Sequence, residues 1–132
     1  MLSNLIDQIL VTKELTMPFC HECNAKAGKH HIIFKGNKSI IVYLPVNEIN
    51  LCKKCHKEIH LNKAMDDRYK CLLQTRLKSL FPEQHYSLEE IKRLLKLKHI
   101  QAKLLARHVQ SEDSGYSSDD VIKYLLGGKL YC

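Results

Sequence analysis

Residues 19–62 read FCHECNAKAGKHHIIFKGNKSIIVYLPVNEINLCKKCHKEIHLN, and the fold of the chain turns on how this stretch is read. Two Cys-x-x-Cys pairs, Cys20 with Cys23 and Cys52 with Cys55, bracket it. Each pair can offer two thiolates from one tight turn, and together they supply the four sulfur ligands of a tetrahedral structural zinc site. A redox reading needs only one such pair inside a thioredoxin-like βαβ unit, and no βαβ pattern surrounds either pair. An ion closed off by four thiolates has no position left for a substrate, so zinc here is expected to hold structure and not to perform chemistry.

Between the pairs, His30–Phe34 and Ser39–Leu44 are short extended runs separated by Lys35-Gly36-Asn37-Lys38, whose Gly and Asn tolerate positive φ; this predicts a hairpin. Pro45 ends the second run. From Cys52 to Leu61 the chain lacks Gly and Pro and reads as helix, which places His56 and His60 four apart on one face. The expected order is therefore ββα. Hydrolysing a phosphodiester requires a base to generate the nucleophile and a cation to neutralise the phosphate and the leaving oxygen, and histidines can serve both needs. A single histidine is ordinarily a surface or core residue. Here His30, His31, His56 and His60, with Asn47, all fall between or beside the cysteine pairs.

This order, Cys-x-x-Cys, His30-His31-Ile32, Asn47, then Leu51-Cys52-x-x-Cys55-His56-x-x-x-His60, resembles the HNH, or ββα-metal, endonucleases of the kind found among small phage and homing nucleases. The resemblance covers residues 19–62, about a third of the chain. It implies a DNA endonuclease that cuts one strand per active site. His31 would be the general base and His30, where relatives often carry Asp, a ligand of a catalytic divalent cation: Mg2+, Mn2+ or another divalent transition metal. Asn47, five positions before Cys52, matches the Asn that holds the loop aiming the base, with Asn50 as its rival. His56 matches a metal ligand. His60 matches either a third ligand or, as in some zinc-stapled relatives, a phosphate contact. One difficulty is physical: adjacent strand residues point to opposite faces, so the strand must twist or end where His30 and His31 serve one phosphate.

Outward from this module, the chain divides into an N-terminal helix at 1–16, the zinc-bound module at 17–63 and a helical basic region at 64–132. Ser3 can cap a helix from Asn4 to Glu14, ahead of Pro18. Lys63–Leu80 reads as an amphipathic helix with Met65, Tyr69, Leu72, Leu73, Leu77 and Leu80 on one face, stopping at Phe81-Pro82. Cys71 lies in this face and is read as a small core residue. Ser87 and Glu90 form a capping-box pair that starts another helix, which either runs to Val109 or breaks near Lys96-Leu97-Lys98 and restarts at His99. A polar linker, 111–118, precedes a short helix at Asp119–Leu126. No internal repeat is read. The expected class is α+β dominated by helix.

Lys92, Arg93, Lys96, Lys98, Lys103 and Arg107 decorate the helices after Ser87. Such runs are usually solvated faces. The alternative is a helix-turn-helix-like DNA grip, and the formal charge of +7 suits a polyanionic partner. Four thiolates around a divalent ion would lower that charge by only two. His21, His85, His99 and His108 are assigned no catalytic role.

The start MLSNLIDQILVTKEL lacks the basic opening and cleavage site of a signal peptide, and no run approaches the roughly 20 apolar residues of a membrane span. No membrane partner is expected, and Cys-x-x-Cys pairs among lysines and histidines favour a reducing, cytoplasmic setting. DNA is the expected partner, and double-strand cleavage would need a homodimer or two successive events. Two competing readings remain: a zinc-dependent DNA-binding or recruitment protein that no longer cleaves, and a structural zinc protein that binds other proteins.

Overall fold

The computed structural model describes residues 19–32 and 40–132; the helix expected at Asn4–Glu14 and the turn expected at 35–38 lie outside them. The described chain is α+β. Strand β1 (Gly28–His31) pairs antiparallel with β2 (Glu48–Leu51), with Lys29 opposite Asn50 and His30 opposite Ile49. Helix α1 (Lys53–Leu61) follows directly, then the long helix α2 (Lys63–Leu80). A second two-stranded sheet, β3 (His85–Tyr86) with β4 (Tyr116–Ser117), joins helices α3 (Leu88–Leu95), α4 (His99–His108) and α5 (Ser118–Leu125).

The expected hairpin is corrected in its second arm. The partner of β1 is Glu48–Leu51, while Ile40–Tyr43, inside the run read as a strand, is a 3-10 turn with Ile40, Ile41 and Val42 buried. A continuous apolar run carries no period that separates a strand from any other buried segment. A second 3-10 turn, Pro45–Asn47, follows, begun by the fixed φ of proline.

The helix boundaries follow from caps. Cys52 caps α1, its Sγ accepting from the Cys55 backbone N–H at 3.4 Å. Asn62 ends α1 and caps α2, its Oδ1 accepting from Met65 N–H at 3.2 Å. Before α3, Ser87 Oγ accepts from Glu90 N–H at 3.2 Å while Ser87 N–H donates to Glu90 Oε1 at 3.1 Å, completing the capping box.

The ambiguous stretch resolves into two helices. Lys96 turns left-handed at φ 56° and Leu97 N–H reaches back to Lys92 O at 2.9 Å, so α3 stops and α4 begins three residues later. A lysine here bears the steric penalty of a left-handed Cβ. Lys96→Gly is expected to raise stability by roughly 1 kcal/mol, the left-handed penalty less the glycine entropy cost. Urea denaturation of the two proteins measures it; an unchanged or lowered midpoint would remove the strain argument.

The structure also exposes a repeat not read from the sequence. Residues 85–95, HYSLEEIKRLL, and 115–125, GYSSDDVIKYL, each run from a short strand through Tyr-Ser into a helix with two acids in its first turn. The equivalent Tyr86 and Tyr116 face each other across the sheet, and the equivalent pairs Ile91 with Val121 and Leu95 with Leu125 are all buried. Identity at only a few positions hides the relation until the pairing is seen. Gly115 is required where it stands: its φ is +112° and a Cβ would lie 2.7 Å from Tyr86 O.

One core runs through the described chain, from Cys20, Ile32 and Leu51 through Ile59, Leu73 and Leu77 to Ile91, Leu105 and Leu125. Helix α2 is its spine, packing against α1, the Pro45–Asn47 turn and α5. Its buried face includes Gln74 and Arg76, which the apolar reading omitted. Gln74 holds the segment Tyr131–Cys132: its Oε1 accepts from Tyr131 N–H at 2.6 Å and its Nε2 donates to Cys132 O at 2.6 Å. Cys71, expected as a plain core residue, is instead joined to Cys132 by a disulfide. The bridge staples this segment to α2.

Candidate metal centre

The two Cys-x-x-Cys turns meet. The sulfurs of Cys20, Cys23, Cys52 and Cys55 all lie within 4.8 Å of one another, a cluster able to hold a metal ion, and Cys23 Sγ is 3.7 Å from Cys52 Sγ. A tetrahedral ion with Zn–S near 2.3 Å sets its sulfurs about 3.8 Å apart, so this spacing fits zinc. The first turn is built by Asn24 at φ 63°, whose N–H donates to Cys20 O at 2.8 Å, and it is tied to β2 by His21 N–H donating to Asn50 O at 2.8 Å.

The thiols are electrostatically unequal. Burial alone would push the Cys20 thiol up, but hydrogen bonds from the Cys23, Cys52 and Glu22 backbones outweigh it and bring it down to about 6. Burial, with hydrogen bonds to the other three thiols, holds Cys55 far above the usual thiol range. Four sulfurs at this range cannot all ionise on their own; a divalent cation among them would remove the conflict.

Beside this cluster stand three histidines. The His30 ring on β1 lies 4.2 Å, centroid to centroid, from the His56 ring on α1, and His56 lies 4.7 Å from His60 one turn on. Burial lowers the pKa of His30, helped by the charges of His31 and Lys53. His56 is pushed down to about 4 by burial and by its two histidine neighbours, against a hydrogen bond to the His31 backbone. Burial also lowers His60, although Asp66 opposes it. In all three, burial disfavours the protonated ring.

His31 is the last residue of β1 and is exposed; Ile32 behind it turns into the core. His31 is still a paired residue of β1, opposite Glu48 as His30 is opposite Ile49, so the expected end or twist of the strand between the two histidines is not found. Asn47 is fully buried, and its backbone O accepts from Ile32 N–H at 2.9 Å, which ties the end of β1 to the Pro45–Asn47 turn. Asn50, also buried, sits in β2 and holds the first cysteine turn through His21.

Several contributors escaped the sequence reading. Arg76, buried on α2, donates to Val46 O at 3.2 Å and to Glu48 O at 2.9 Å, gripping the chain on both sides of Asn47. Glu22 accepts from Tyr69 Oη at 2.5 Å and pairs with Arg68, clasping the first cysteine turn to α2. Asp66 lies 3.0 Å from His60. No local pattern announces these residues, because each acts on a partner at least six positions away and usually far more.

The basic residues lie elsewhere, along α3 and α4: Lys92 is half-buried and Arg93, Lys96, Lys98, Lys103 and Arg107 are exposed. On α4 Lys103 and Arg107 share the outer face with Ile100 and Leu104, opposite buried Ala102 and Leu105. Among the described residues no helix is long and apolar enough to cross a membrane. Compared with protein-family models, curated proteins and solved structures, the chain matches none.

Proposed function

We propose that this protein is a metal-dependent DNA endonuclease of the HNH type, built on a zinc-bound ββα module. The observation that carries the reading is the row of three histidines, His30, His56 and His60, assembled from a strand and the following helix that also carries Cys55 of the four-cysteine cluster. A binding module needs the cysteines but not this row.

In this reading Cys20, Cys23, Cys52 and Cys55 hold a structural zinc, and His30, His56 and His60 hold the catalytic cation. Three imidazoles suit a transition ion such as Zn2+, Co2+ or Ni2+ better than Mg2+, which favours oxygen ligands; Mn2+ stands between. When bound, the cation supplies neutralisation of charge on the scissile phosphate and on the departing oxygen. His31, at the exposed end of β1, takes the proton from the attacking water. Asn47 and Arg76 hold the strand end and the neighbouring turn, which keeps His31 aimed. Lys92, Arg93, Lys96, Lys98, Lys103 and Arg107 on the tightly joined α3 and α4 contribute phosphate contacts, as in a helix-turn-helix-like grip. One such site nicks one strand; a second copy is needed to cut both.

The test is incubation of zinc-loaded protein with supercoiled plasmid under Mg2+, Mn2+, Co2+, Ni2+ or excess Zn2+, with DNA binding measured at two salt concentrations. Nicking with at least one ion is expected. No nicking with any ion, while salt-sensitive DNA binding persists, would make the protein a non-cleaving zinc-dependent DNA binder. Loss of both activities would leave a structural zinc protein.

A further inference from the structure

We infer that Asp66 is a positioning residue of the histidine site, fixing the tautomer of His60 so that its Nε2 keeps a lone pair for the cation. The inference rests on the reading that the histidine row holds a cation. His60 Nδ1 and Asp66 Oδ1 are 3.0 Å apart, and the other Asp66 oxygen is 2.6 Å from Lys70 Nζ. A carboxylate paired with an ammonium is an acceptor only, so the hydrogen of this bond belongs to Nδ1 of His60. The neutral ring then has its lone pair on Nε2. A histidine that binds metal ordinarily donates its other N–H to such a carboxylate, which fixes the ring and raises its basicity.

The placement is specific. His60 closes α1 and Asp66 opens α2, with Asn62 capping between them, so the bond spans the joint of the two helices. Both side chains are only 16% exposed, and water competes little for the bond. Asp66 also lies in the first turn of α2, where any acid favours the helix dipole. A purely dipolar or joint-holding role would leave the tautomer and the cation affinity of His60 unchanged, and this is where the two roles separate.

Asp66→Ala and Asp66→Asn are compared with the parent, all with the cysteine site filled by zinc. Nitrogen-15 NMR of the histidine rings reports the tautomer without added cation, and calorimetric titration with Co2+ reports affinity, with His30→Ala as the reference lacking one ligand. In the parent His60 is expected as the Nδ1–H form. Asp66→Ala should shift it to the Nε2–H form and weaken Co2+ binding by about 10- to 100-fold. Asp66→Asn, whose amide oxygen still accepts from Nδ1–H, should keep the tautomer and recover most of the affinity. A parental tautomer and parental Co2+ affinity in Asp66→Ala would overturn the inference. If parent and His30→Ala titrate alike, the cation-holding role of the histidines fails, and the NMR arm alone then decides whether Asp66 sets the tautomer.

Discussion

His31→Ala is expected to cut the rate of DNA nicking by about 10²- to 10⁴-fold, the usual contribution of a general base, while folding, zinc content and DNA affinity stay at parental levels. The structural basis is the exposure of His31 at the end of β1, where its ring is not needed by the core. His30→Ala and His56→Ala should also abolish nicking, by a different route: if the histidine row holds the cation as proposed, each removes one of its imidazoles, so calorimetric titration should show weaker cation binding. His31→Ala should titrate like the parent. Single-turnover nicking of supercoiled plasmid beside those titrations separates the two classes. Parental cleavage rates in all three variants would assign any nuclease activity to a contaminant or to another site.

Cys52→Ser is expected to collapse the first half of the protein. Serine is itself a good helix N-cap, so the substitution preserves the start of α1 and removes mainly the metal ligand. Zinc held by four thiolates contributes apparent free energies of about 10–16 kcal/mol in small domains, as large as the whole stability of an ordinary one at about 5–15 kcal/mol. Cys20 and Cys55 are part of the same buried core as Ile32, Leu51 and Ile59, so losing an ion held by the four cysteines would also loosen that packing. Hydrogen exchange should accelerate first in β1, β2 and α1, and a strong chelator should reproduce the effect in the parent. If the purified protein carries no stoichiometric zinc and Cys52→Ser melts like the parent, the four-cysteine cluster is not a metal staple.

Read from sequence alone, the candidate site is legible where its signals are local. His56 and His60 share a helix face because about four residues make one turn, and the capping pair of Ser87 and Glu90 places the start of α3 where it occurs, whereas the caps at Cys52 and Asn62 are seen only in the structure. The apolar spacing of residues 63–80 likewise gives α2 its observed bounds. The pairing of β1 is not legible in this way. Ile40–Tyr43 is the richer of the two in β-formers, yet the strand is Glu48–Leu51, which carries Glu and Asn, so local propensity points the wrong way and the choice depends on tertiary packing.

What the sequence by itself determined is therefore the set of short-range features: the two cysteine turns, the helical face of the histidines, the cap formed by Ser87 and Glu90, and a break between two helices as one of two allowed outcomes. Only the tertiary structure decided that β1 pairs with 48–51, that Arg76 grips the turn holding Asn47, that Asp66 meets His60, that Cys71 bridges to Cys132, and that 85–95 and 115–125 are equivalent. The physical reason is the range of the forces involved. Helix geometry and capping act within about one turn of the chain, so residue types at fixed spacing suffice to read them. Buried polar groups such as Gln74 and Arg76 must find partners wherever packing delivers them, and in this chain those partners lie 28 to 58 residues away.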